Sequence, residues 1–215
     1  MAFANWALQP DILFQQSAVI PVVEVNNLAD AIPMAQAIID GGIGVLEVTL
    51  RTPVALDVIR LLSEKFPDAI IGAGTIINAQ QLQQAIFAGA KFAISPGLTA
   101  ELLAAGKAAA IPLIPGIATS SELMQGIAYG YNHFKFFPAE TSGGVKALAS
   151  FYGPFSQVRF CPTGGITPNN AKAYLSLPNV DCVGGSWLTT KQLITDKNWL
   201  RITELSAAAI QLANN

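Results

Sequence analysis

A chain of 215 residues with a formal charge of -2 and only 12 Lys plus Arg has no broad basic surface for nucleic acid or an acidic membrane. Its 52% hydrophobic content supports one sizeable core, a single domain over residues 1–215, yet no apolar run reaches the roughly 18 residues of a membrane helix. Two cysteines, Cys161 and Cys182, are too few for a disulfide framework, and the opening MAFANWALQPDILFQQ shows no secretory leader. The expectation is a cytoplasmic protein with small-molecule partners.

In chain order, LQPDILFQQS (8–17) reads as an extra helix ahead of a first strand, VIPVVEV (19–25). Helical and strand segments then alternate. LADAIPMAQAIIDGG leads to GVLEVTL (44–50), PVALDVIRLLSEKF to AIIGAGTI (69–76), and NAQQLQQAIFAGA to KFAISP (91–96). After LTAELLAAGKAA comes IPLIPGIA (111–118), and after SSELMQGIAYG comes HFKFFPA (133–139). VRFCPTGG (158–165), NNAKAYLSL and VDCVGGS (180–186) complete the series. The strand segments are apolar on both faces, the pattern of parallel strands covered by helices. Eight strands at roughly 27 residues per unit indicate a (β/α)8 TIM barrel with an extra N-terminal helix. A doubly wound open sheet is the alternative, although no glycine-rich dinucleotide turn follows the first strand. Thr52-Pro53, Asn78 and Thr167-Pro168 are expected helix starts, and Gly41-Gly42, Gly89 and Gly130 expected stops.

Reactive groups in a barrel belong at the C-terminal ends of strands. Period-2 alternation places Glu47, Thr49 and Arg51 on one face of the second strand and His133, Lys135 and Phe137 on one face of the sixth. An interior lysine is either half of a buried ion pair or, when burial and a neighbouring cation disfavour its ammonium form, a nucleophile for a carbonyl carbon. Glu47 either neutralises Lys135 or Arg51, or moves protons at the carbon Lys135 attacks. Arg51 either ends its strand in solvent or receives the carboxylate of a 2-oxo acid on its planar donor array. Thr75 and Thr163, at the ends of the third and seventh strands, can fix a carboxylate or hydroxyls. Pro96 and Phe137 can wall the pocket. Gly164 and Gly165, followed one strand later by Gly185 and Ser186, offer backbone donors at the usual barrel phosphate position. His133 is read as a packed residue near its strand start, Asp181 as lying away from the mouth, and the cysteines as buried thiols. One histidine makes no ordinary zinc site, and neither metal nor cofactor is expected.

Taken together, GVLEVTLRTP, GAGTI, FAISPG, IPGIATSSE, FKFFPAE, PTGGI and GGSWL closely resemble the 2-dehydro-3-deoxy-phosphogluconate aldolases, also known as 4-hydroxy-2-oxoglutarate aldolases, over about residues 12–205. The resemblance implies Lys135 as the Schiff-base residue and Glu47 as acid/base. It implies Arg51 and Thr75 at the pyruvyl carboxylate, Thr163 beside the substrate, and Gly164, Gly165, Gly185 and Ser186 at phosphate. It also implies a homotrimer and a metal-free retro-aldol cleavage yielding pyruvate. A phosphosugar isomerase or epimerase using Glu47 as base, or a non-catalytic phosphometabolite-binding protein, would share the pocket without the covalent bond.

Overall fold

Short β-branched and apolar runs bounded by glycine and proline form nine parallel strand segments in the computed structural model, which describes residues 3–213. They are Val19–Val23 (β1), Val45–Thr49 (β2), Ile70–Gly74 (β3), Phe92–Ile94 (β4), Leu113–Ile114 (β5), Gly116–Ile117 (β6), His133–Phe136 (β7), Arg159–Pro162 (β8) and Val183–Gly185 (β9). β5 and β6 are one expected strand divided at Pro115. A six-stranded arc runs β5-β4-β3-β2-β1-β9 and a three-stranded arc β6-β7-β8. Pro115 and the Thr163↔Gly184 bridge join the arcs, so the eight expected strands form a TIM-type ring rather than a doubly wound sheet. At the Pro115 junction the Gly116 N–H donates to the Ser95 hydroxyl at 3.3 Å, while the Pro115 carbonyl accepts from the Lys135 N–H at 2.9 Å.

Helices surround the ring: Pro10–Phe14 (α1), Ala31–Asp40 (α2), Ala55–Lys65 (α3), Ala79–Phe87 (α4), Ala100–Ala108 (α5), Ser120–Ala128 (α6), Gly144–Tyr152 (α7), Pro168–Leu175 (α8), Lys191–Thr195 (α9) and Trp199–Ile210 (α10). Asn78 caps α4 by accepting from the Gln81 N–H, and Pro168 opens α8. Gly42, Gly89 and Gly130 take the positive φ of helix stops. Thr52 does not cap a helix. Its hydroxyl donates to the Val25 carbonyl at 2.7 Å, tying the ends of the first two strands together, and α3 starts only at Ala55. α10 seals the ring against α2, with the Thr203 hydroxyl donating to Ala37 O at 3.0 Å. Among the described residues, no helix is long and apolar enough to cross a membrane.

The extra helix α1 plugs the end of the barrel where strands begin. Pro10, Leu13 and Phe14 are buried, Phe14 meets the His133 ring edge-on at 5.2 Å, and Asp11 reaches His133 Nε2 at 2.9 Å. Asp181 is engaged by the Arg159 guanidinium on the same side. These positions match the expectation that His133 and Asp181 stand apart from the mouth.

Candidate active site

Alternation along β7 sends Lys135 inward, flanked in register by Gly116 of β6 and Cys161 of β8. The same logic on β2 sends Glu47 inward between Val22 and Gly72. The two meet across the interior, Lys135 Nζ standing 3.7 Å from Glu47 Oε1, at 3% and 1% exposure. The Glu47 Oε1 atom has no hydrogen-bond partner, so the pair is a close charge contact with unused acceptor capacity. Lys135 Nζ also lies 4.8 Å from the centre of the Phe137 ring. A buried cation with one carboxylate and one aromatic face is poorly compensated for a purely structural group.

Glycines make the room. A Cβ on Gly74 would overlap the Glu47 carboxylate, one on Gly116 would overlap the Pro96 backbone, and one on Gly184 would overlap the Thr163 hydroxyl. Gly74 and Gly116 were not singled out from sequence as site residues, and Gly184 only as a glycine of the strand-end turn before Ser186. The signal was present in IIGAG, whose alternate glycines Gly72 and Gly74 share the inward face with Glu47 and Thr49 in the β2–β3 register. Thr75 follows at φ 63°. A β-branched side chain avoids that conformation, and holding it there costs about 1–3 kcal/mol, a strain that clusters at functional sites.

At the mouth, a cavity of about 320 Å³ is lined by Val22, Thr49, Arg51, Ser186 and Thr189. Val22 is the register partner of Glu47, so the cavity floor touches the layer that holds the buried pair. Thr49 donates its hydroxyl to Val23 O at 3.0 Å and is already satisfied. Arg51 Nη1 lies 3.9 Å from Glu24 Oε2, both side chains half-exposed. Glu24 was overlooked in the sequence, where an acid at a strand end reads as solvated. A larger cavity, about 420 Å³, opens beside Phe14, Ala18 and Asp181 at the opposite end of the barrel, away from Lys135.

The turn after β8 is laced to the end of β7. Thr163 N–H donates to Phe136 O at 2.9 Å, Ala139 N–H to Thr163 O at 2.8 Å and Glu140 N–H to Gly164 O at 3.1 Å. Gly164 has φ 100° and passes so close to Phe137 and Pro138 that a side chain would crowd them. Its N–H and that of Gly165 have no acceptor among the described residues. Glu140 is held beside Gly165 by the Tyr174 hydroxyl, whose acidity is weakened first by burial and then by that carboxylate. Gly185 pairs with Pro21 and packs against the Trp187 ring, and Ser186 follows into the mouth cavity. Cys161 and Cys182 are buried free thiols, and burial together with Cys161 pushes the Cys182 thiol up.

The model of the KDPG and KHG aldolase family matches residues 11–205. This chain belongs to that family. It is 56% identical over 206 residues to the 2-dehydro-3-deoxy-phosphogluconate aldolase of Pseudoalteromonas atlantica, covering 96% of each chain. It is 53% identical over 207 residues to the KHG/KDPG aldolase of Escherichia coli, covering 96% of this chain and 97% of that one. The crystal structure of the Legionella pneumophila KDPG aldolase, with pyruvate captured as a covalent carbinolamine, superposes with a TM-score of 0.94 at 55% identity over 95% of this chain and all of that one. In the present aldolase seven of the expected site residues fall into three groups. Lys135 contacts both Glu47 and Phe137, Arg51 and Ser186 share the mouth cavity, and Thr163 and Gly164, just after β8, are hydrogen-bonded to the end of β7 and the turn beyond it. Thr75 and Pro96 stand at the ends of β3 and β4, Pro96 through its backbone against Gly116.

Proposed function

We propose that this chain is the Schiff-base lyase that splits 2-dehydro-3-deoxy-6-phosphogluconate into pyruvate and glyceraldehyde 3-phosphate, and 4-hydroxy-2-oxoglutarate into pyruvate and glyoxylate. The buried contact of Lys135 with Glu47, in a chain of this family, carries the reading. The Lys135 amine attacks C2 of the 2-oxo acid, and Glu47 delivers a proton to the carbinolamine oxygen so that water departs and an iminium remains. Removal of the C4 hydroxyl proton breaks the C3–C4 bond, the aldehyde leaves, and the electron pair rests on the nitrogen as an enamine. Protonation at C3 and addition of water then release pyruvate and restore the amine.

Arg51 and Thr75 hold the carboxylate of the substrate, with the strained backbone of Thr75 supporting a functional role. Thr163 lies beside the reacting carbons, and Pro96 and Phe137 enclose them. The free N–H groups of Gly164 and Gly165, with Gly185 and Ser186, receive the phosphate. The same reading takes residues 1–215 as one domain and the chain as a cytoplasmic homotrimer.

Treatment with pyruvate and borohydride should leave a reduced adduct on Lys135, and Lys135→Ala should abolish both the adduct and cleavage. An unmodified Lys135, with full activity in Lys135→Ala, would sink the mechanism and favour an isomerase or a binding protein using the same cavity.

A further inference from the structure

An acid beside the anchor for an acid is an odd neighbour. Glu24 follows β1 and Arg51 follows β2, and the β1–β2 register, Val22 with Glu47 and Val23 with Val48, brings the two strand ends side by side. The guanidinium and carboxylate stand 3.9 Å apart, each half-exposed, and both line the mouth cavity of about 320 Å³. At that separation and exposure the pair is weak and screened, so a better-placed carboxylate can replace Glu24. Glu24 also lines an adjoining cavity of about 270 Å³ with Asn26, Asp30 and Lys191. Lys191 lines both cavities and has no ion-pair partner among the described residues, so a second cation stands near Glu24 when Arg51 is taken by another carboxylate.

We infer that Glu24 is a resident competitor for Arg51 that sets how tightly the site takes the carboxylate of a 2-oxo acid. The inference rests on the proposed role of Arg51. An incoming carboxylate gains a planar, two-pronged contact with Arg51 that Glu24 does not have at 3.9 Å. It must also approach against the charge of Glu24, and that opposition vanishes when Glu24 is neutral.

Pyruvate alone is the probe, because it carries the carboxylate and carbonyl without the distal half of the substrate. Adduct at Lys135 is measured by borohydride trapping over a pyruvate titration. Glu24→Gln should lower the half-saturating pyruvate concentration by about two- to fivefold, the scale of one screened charge contact, with the same maximal adduct. The shift should shrink at high salt. In an Arg51→Gln background the Glu24 substitution should have little effect, since the two positions act as a coupled pair. Glu24→Ala should match Glu24→Gln, which separates loss of charge from a change of shape, and a thermal melt checks folding. Unchanged or weaker pyruvate capture in folded Glu24→Gln, with trapping at Lys135 intact, overturns the competitor role and leaves the Schiff-base reading standing. Absence of the adduct in the unaltered protein overturns both.

Discussion

In the proposed mechanism Gly74 bears on the chemistry without carrying a functional group. Its inward face lies against the Glu47 carboxylate, so a single added methyl has to displace that carboxylate from its 3.7 Å contact with Lys135. Gly74→Ala should therefore slow cleavage by about 10²–10⁴, the scale of a lost proton-transfer group, with a stability loss of about 1–3 kcal/mol from overpacking. Steady-state kinetics with circular dichroism tests this, and a near-normal rate in the folded variant would show that the carboxylate has room to reposition. Lys135 and Glu47 were legible in sequence because a charge inside an apolar strand breaks the pattern that burial imposes. Gly74 was not, since a glycine near a strand end also fits an ordinary turn. Glu24 escaped for a different reason: its meaning depends on strand register, which places VVEVNN beside LRTP only after folding.

At the scale of elements, α1 and the start of β7 meet around the buried His133, and their contact is expected to respond to pH. His133 is enclosed by Phe14 and Asp11 of α1, Asn132 of its own chain segment, and the Arg159–Asp181 pair at the starts of the neighbouring strands. Its Nε2 lies 2.9 Å from Asp11 without the alignment of a good hydrogen bond. Burial, opposed by Asp11 and Asp181 and reinforced by Arg159, lowers the His133 pKa below its ordinary 6.5. On acidification the unfolded chain binds this proton before the folded one does, so stability falls as pH drops below 6.5 and levels off once the folded pKa is passed. His133→Gln should flatten that part of the Tm-against-pH curve, and an unchanged slope would assign the effect to other groups. The strands themselves were legible from apolar runs, but hydrogen bonding decides their limits. Pro115 lacks an N–H and divides IPLIPGIA into β5 and β6. Helix α7 is not legible in the sequence because it starts on two glycines at positive φ, the flanking Gly143 and its own first residue Gly144, rather than at a side-chain cap.

For the whole molecule, eightfold alternation of apolar segments revealed the barrel, whereas the uneven hydrogen bonding around its circumference depended on details no periodicity reports. The division follows the proposed chemistry. Lys135 belongs to the arc β6-β7-β8, with Thr163 and Gly164 just beyond it, while Glu47 belongs to the longer arc, with Arg51 and Thr75 just beyond it. Of the two junctions, one substitutes the Ser95 hydroxyl for a backbone acceptor and the other is held by two isolated bridges, Phe160↔Val180 and Thr163↔Gly184, rather than a continuous ladder. In the proposed mechanism a substrate bonded to Lys135 and gripped at its carboxylate by Arg51 would act as a molecular stitch between the two arcs. Borohydride-fixed pyruvate should slow amide hydrogen exchange at Gly116, Ile117, Gly184 and Gly185 more than on helices far from the junctions, because local opening there has to break the added tie. Equal protection everywhere, or none, would mean that the arcs move as one body. If the stitch holds, the enzyme is at its most rigid in mid-reaction, and hydrolysis of the imine frees two tethers at once: the product from the lysine, and one half of the barrel from the other.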